Sequence, residues 1–217
     1  VIFQQVRRTG LHTTGYIAKF TQGKVCLFES GLHHAGEVFE KLNKARTVED
    51  QVILIMDASS SNSCKLSQMD VKVIQANCNS HALRKFKELE VNSAFEEHVS
   101  HILELYGSVF ENDRKNRDCS PTERLMLHQK QSLPKMLEIK SKIESDFLEN
   151  RVEPHSTLGS AYKYFLNHFE KLTAFCKYER APVCNNECER LLKRAIRHRK
   201  NSLFFKNSVG AAVGDIH

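Results

Sequence analysis

The chain has 217 residues, with Lys+Arg 32 against Asp+Glu 26, a formal charge of +6 and 41% hydrophobic residues. That length suits one medium domain, or one domain with an insertion, and the apolar content supports a real core. A mean hydropathy of −0.44 and the lack of any apolar run of about 18–20 residues argue against a membrane-spanning helix, and the low Gly 9 and Pro 4 argue against a disordered chain.

Taken in order, Thr14–Phe20 and Lys24–Glu29 predict two short strands around a turn at Thr21-Gln22-Gly23. Ala35, Val38, Phe39 and Leu42 recur at helical spacing, which predicts a helix over 34–45. Gln51–Met56 (QVILIM) is a continuous apolar run, expected as a central strand buried on both faces and ending at Asp57. Val71–Ala76 predicts a further strand. The order strand, strand, helix, strand, strand indicates a mixed α/β sheet.

From about Ser80 to Tyr178 the pattern is helical throughout. Leu83, Phe86 and Leu89 make one stripe; Val99, Ile102, Leu103, Tyr106 and Val109 make a second. Ser120-Pro121-Thr122-Glu123 has the spacing of a capping box with Pro at the first helical position, and a bend is expected at Pro134. After a break at Glu153-Pro154-His155-Ser156, Leu158–Tyr178 predicts a long helix with Tyr162, Phe165, Leu166, Phe169, Leu172 and Phe175 on its apolar face. The last predicted helix runs from Glu187 to about Lys200, capped by Asn185-Asn186. The expected organisation is therefore residues 1–92 as the first part of an α/β core, 93–180 as a helical insertion and 181–217 as the return to the core.

Four features offer chemistry. Asp57 follows an apolar strand, at the edge where α/β sheets gather their sites, although an Asp beside Ser59, Ser60 and Ser61 also suits a turn. Glu189 lies in the first turn of a predicted helix, where the dipole favours a carboxylate in any case, and Glu187 competes with it. Positions 190–206 hold Arg190, Lys193, Arg194, Arg197, Arg199, Lys200 and Lys206, with no acid, so the rest of the chain sums to −1. Such a run is either a solvated face or the footprint of a phosphate binder, and contact by all seven cations would give a log K against log salt slope near −6, at about −0.9 per phosphate. Cys78 and His81, with Cys184 and Cys188, could instead form a zinc site, and that leaves a structural zinc module as an alternative. His33-His34 reads as a turn feature. The seven cysteines are odd in number and scattered, which suits a reduced, intracellular protein.

Several of these segments match one family in order. Gly31-Leu32-His33-His34-Ala35-Gly36-Glu37 resembles its G-x-x-HAGE block, and Cys78-Asn79-Ser80-His81-Ala82-Leu83-Arg84-Lys85-Phe86 its C-x-x-H-x-x-RKF block. Ser120-Pro121-Thr122-Glu123-Arg124 resembles SP-x-ER, and Glu153-Pro154-His155-Ser156-Thr157-Leu158-Gly159 resembles EP-x-S-x-LG. Asn185-Asn186-Glu187-Cys188-Glu189-Arg190 and His198-Arg199-Lys200-Asn201-Ser202-Leu203-Phe204 resemble NN-x-x-ER and HRKNSLF. Together they are similar to the insertion-sequence 66 transposase family of bacterial mobile elements, from about Gly10 to Gly214.

The resemblance implies a ribonuclease-H-like mixed sheet, here lacking its first strand and interrupted by an all-helical insertion domain. It implies an Asp, Asp, Glu triad in which Asp57 is the second Asp and Glu189 the Glu, both holding Mg²⁺, with Mn²⁺ as a substitute. It implies DNA strand cleavage and transfer on double-stranded DNA, self-association, no membrane, and a cytoplasmic, nucleoid-associated location. The basic run would lie against DNA phosphates, and His81 would either contact the scissile phosphate or pack against the insertion.

Two departures accompany the match. The first Asp is expected on a strand before Gly10, yet residues 1–10 contain no acid, so the chain is expected to be a fragment or a relic that binds DNA without cutting it. Cys184 stands where the family usually has an Asp before the paired Asn.

Overall fold

In the computed structural model the described residues are 12–20, 23–31, 35–44, 51–58, 73–91 and 95–201. They contain four strands in the expected order with the helix between: β1 (His12–Phe20), β2 (Gly23–Gly31), α1 (Ala35–Lys44), β3 (Val52–Met56) and β4 (Val73–Asn77). Then come α2 (Asn79–Lys87), α3 (Glu96–Lys115), α4 (Pro121–Leu127), α5 (Leu133–Leu148), α6 (Thr157–Leu172) and α7 (Asn186–Asn201). The result is mixed α/β and mostly helical, with two small sheets. Each sheet has two strands, β1 with β2 and β3 with β4. Two compact units separate: β1, β2, α1 and α7 form one, and β3, β4 and α2 to α6 the other.

In the first unit β1 and β2 pair antiparallel, from Phe20 opposite Gly23 to His12 opposite Gly31. The Tyr16 hydroxyl donates to the Ala35 carbonyl and so ties the start of α1 to β1. Val38 is the buried apolar anchor of α1. Gly15 lets α7 approach closely: a Cβ there would lie 3.1 Å from the Phe28 ring and 3.4 Å from Leu192.

In the second unit β3 and β4 run parallel, with Val52 opposite Val73 and Met56 opposite Asn77. The expectation of a central strand buried on both faces is not met for β3. Among the described residues it pairs with β4 alone, and all five of its residues are half-buried. Ile53 of this run packs against the helical core.

The core of this unit is aromatic. Val99, Ile102, Leu105, Tyr106 and Val109 of α3 meet Met136, Ile139 and Ile143 of α5 and Leu158, Tyr162, Phe165 and Leu172 of α6. Phe86 of α2 sits among Tyr106, Tyr162 and Phe165, with ring centroids 6.2, 6.3 and 6.4 Å away, inside the range where tilted aromatic pairs attract. The helical stripes read from the sequence are therefore the buried faces.

Local signals explain the helix ends. The Ser120 capping box forms in full at the start of α4: the Ser120 hydroxyl accepts from the Glu123 N–H, and the Glu123 carboxylate accepts from the Ser120 N–H at 3.0 Å. Just before Pro134, where a bend is expected, a π-helical turn spans His128–Ser132, and the Leu133 N–H donates to the His128 carbonyl. The physical cause is the proline, whose ring would collide with the carbonyl four residues back in a regular helix. The wider turn comes immediately before it. The long helix expected to reach Tyr178 stops at Leu172. There the Thr173 hydroxyl donates to the Phe169 carbonyl at 2.9 Å, and a short 3-10 turn at Ala174–Cys176 follows.

The break before α6 is built as a unit. The Ser156 hydroxyl donates to the Glu153 carbonyl at 2.7 Å and accepts from the Gly159 N–H at 2.9 Å. A Cβ on Gly159 would overlap the Glu153 carbonyl oxygen and lie 2.8 Å from the Pro154 carbonyl. The block Glu153–Gly159 is thus a helix-start device.

Asp146 on α5 is the buried polar centre, 1% exposed. It accepts from the Tyr162 hydroxyl at 2.7 Å, lies 3.2 Å from the His98 ring and 3.3 Å from Lys142, and pairs with Arg151 at 3.0 Å. Among the described residues no helix is long and apolar enough to cross a membrane.

Candidate functional site

Asp57 directly follows β3, at the carboxyl end of the strand, and is half-buried. The end of the β3–β4 pair is stitched firmly. The Cys78 N–H donates to the Met56 carbonyl at 2.9 Å. The Asn79 side-chain amide donates to the Leu172 carbonyl at 2.9 Å and the Val183 carbonyl at 3.1 Å. This holds the start of α2, and with it half-buried His81, to the end of α6 and the segment before α7. Tyr164 of α6 faces the strand end: the Ala58 N–H donates to its hydroxyl, and burial together with the charges of Asp57 and Cys78 raises its pKa.

Burial sets the chemistry of two of these cysteines. Cys78 is fully buried, burial pushes its pKa up, and its sulfur accepts from the Asn185 N–H at 3.4 Å. Cys188, in the other unit, donates to the Gly15 carbonyl at 3.3 Å, and burial raises its pKa too. Cys184 is half-buried.

Glu189 lies in the first turn of α7 and is half-buried. Its competitor is otherwise engaged. Glu187 pairs with Lys19 at 2.7 Å and Lys24 at 2.5 Å, and those hydrogen bonds hold its pKa at about 2. Glu187 therefore fastens α7 to the hairpin, a role that no local pattern separates from a catalytic one.

Of the basic run, Arg190, Lys193 and Arg197 are exposed on α7. Arg194, Arg199 and Lys200 belong to α7 by backbone, but their side chains lie outside the described ones, and Lys206, with His33 and His34, lies outside the described residues. Asp57 and His81 belong to one compact unit and Glu189 with the basic run to the other, so each is placed within its own unit only.

Sequence reasoning missed Tyr164. It falls off the apolar stripe of α6, and no periodicity marks it. It also missed a line of Ser132, His128 and Asp113. The His128 Nδ1 lies 3.1 Å from the Ser132 hydroxyl and its Nε2 lies 3.3 Å from the Asp113 carboxylate. The order resembles an acyl-transfer triad. Ser132 is fully buried, however, and accepts from Asn112 at 3.3 Å, so the line braces the π turn.

A family model described as Transposase IS66 family matches residues 13–213. An uncharacterised protein, y4jD of Sinorhizobium fredii (strain NBRC 101917 / NGR234), is 32% identical over 133 residues, covering 61% of this chain and 25% of that protein. The chain thus spans about a quarter of the length of that relative. No solved structure matches.

Proposed function

The chain belongs to the Transposase IS66 family, and from that premise we propose that it forms part of the catalytic core of a DNA transposase that cuts and joins strands by Mg²⁺-dependent phosphoryl transfer. The observation that carries this reading is Asp57, a half-buried carboxylate on the carboxyl end of the β3–β4 pair. Glu189 supports it, because Glu187 is held by Lys19 and Lys24 while Glu189 occupies the same first turn of α7. A ribonuclease-H-like core is part of this proposal.

Two half-buried carboxylates supply the hard oxygen donors that suit Mg²⁺. Asp57 and Glu189 would hold it. When bound, such ions activate the attacking hydroxyl and stabilise the departing oxygen of an in-line displacement. The chain's own groups do the remainder. Arg190, Lys193 and Arg197 neutralise backbone phosphates, and the hydrogen bonds at Cys78 and Asn79 keep the Asp57 strand end in place. Double-stranded DNA and a second copy of the protein are the proposed partners.

The test uses the longest reading frame containing this chain and a duplex bearing the element's ends. Mg²⁺-dependent nicking is expected, abolished by Asp57→Asn and by Glu189→Gln but retained by Glu187→Gln. Nicking that survives both of the first two substitutions overturns the assignment. Binding without nicking would instead favour the relic reading.

A further inference from the structure

A second cationic surface lies on the helical unit, away from the basic run. Lys85, at the end of α2, holds its ammonium 4.6 Å from the centroid of the Tyr164 ring. His168, one turn along α6, packs edge-on against the same ring at 4.7 Å. Lys171, almost a further turn on, reaches back to the Gln75 side chain of β4 at 2.5 Å. Both lysines are exposed, and among the described residues neither is paired with a carboxylate. The Tyr164 hydroxyl accepts from the Ala58 N–H, so the cluster is anchored one residue from Asp57.

Three features separate this from an ordinary solvated face. The lysines are pre-positioned by neutral partners, a ring and an amide, which orient an ammonium without neutralising it. Other cations of this unit are neutralised by carboxylates, as with Arg114 by Glu111 and Lys177 by Glu170. Burial and the two lysine charges lower the pKa of His168, as expected where positive potential is concentrated.

We propose that Lys85 and Lys171, ordered around Tyr164 and His168, form a DNA-phosphate contact on the helical unit beside the strand end that carries Asp57. This rests on the transposase reading above. It assigns the inserted helices a part in holding the DNA strand, additional to the cations of α7. The ligand class is the nucleic-acid backbone, because exposed ammonium groups without a base-reading fork position phosphates rather than specify sequence.

The test measures binding of the full chain to a fluorescent duplex of mixed sequence over a series of salt concentrations. The Lys85→Ala/Lys171→Ala double variant is expected to make the log K against log salt slope shallower by about 1.8, at roughly 0.9 per phosphate. Lys85→Arg/Lys171→Arg should restore it, and Lys87→Ala, exposed on the same helix, should leave it unchanged. If the wild type binds and the double variant keeps the full slope, this contact is overturned while the transposase reading stands. If the wild type binds no duplex at all, both fall together.

Discussion

Asp146→Ala is expected to destabilise the helical unit by about 3 kcal/mol. Removing one partner of a buried ion pair costs roughly 3–5 kcal/mol, because the opposite group is left buried and unpaired. The low end applies here. Lys142 and Arg151 both reach water, with side chains 25% and 49% exposed, and can be rehydrated. The fully buried Tyr162 hydroxyl cannot, and would lose its acceptor. Urea unfolding of the full chain, followed by far-ultraviolet circular dichroism, measures the loss. A change below roughly 0.5 kcal/mol, the range of ordinary surface substitutions, would show that the cluster contributes little.

The same carboxylate sets a pH dependence. Burial works to raise the Asp146 pKa, but hydrogen bonds from Tyr162 and His98 and the Lys142 charge outweigh it, so the pKa lies below the ordinary value. A group depressed in the folded state adds stability above its unfolded pKa, about 3.9 for Asp. It loses that contribution as pH falls through the folded value. The gap between wild type and Asp146→Asn is therefore expected to be constant near neutrality and to shrink on acidification below about pH 4.

Gly159→Ala is expected to cost about 3 kcal/mol, the upper part of the usual range for overpacking. Its added methyl would meet the Glu153 and Pro154 carbonyls, which are backbone and cannot rotate away. Yielding would mean pulling residues 153–154 off the helix start and opening the Ser156 bonds to Glu153 and Gly159. Gly107 is the internal control. It lies mid-helix in α3 with nothing within 4 Å of a built Cβ. Gly107→Ala should stabilise by roughly 0.4–1 kcal/mol through the unfolded chain's lost freedom. Opposite signs in one urea experiment would establish that the cost at 159 is steric. Equal effects would refute it.

Much of the helical unit is legible because burial follows helical period: Val99, Ile102, Tyr106 and Val109 are all buried, as their spacing requires. The Ser120 capping box is legible for the same local reason, and so is Asp57 at a strand end. What stays hidden depends on partners distant in sequence. Nothing near Glu187 announces Lys19 and Lys24. Apolar content alone does not tell a strand covered by helices from a strand between strands, because both have the same composition. Tyr164 takes its place from Lys85 and Ala58, neither of which shares a pattern with it.

The π turn at His128–Ser132 also bears on which changes of chain length this region tolerates. A turn closed over five residues takes up one residue more than an α turn, so the faces on either side remain in phase. Deleting one residue there would keep Met136, Ile139 and Ile143 pointing inward, yet it would leave Pro134 inside a regular helix, where it costs about 3 kcal/mol. The same deletion made together with Pro134→Ala removes that penalty. Length and proline are thus coupled, and each change should be accepted more readily in the presence of the other.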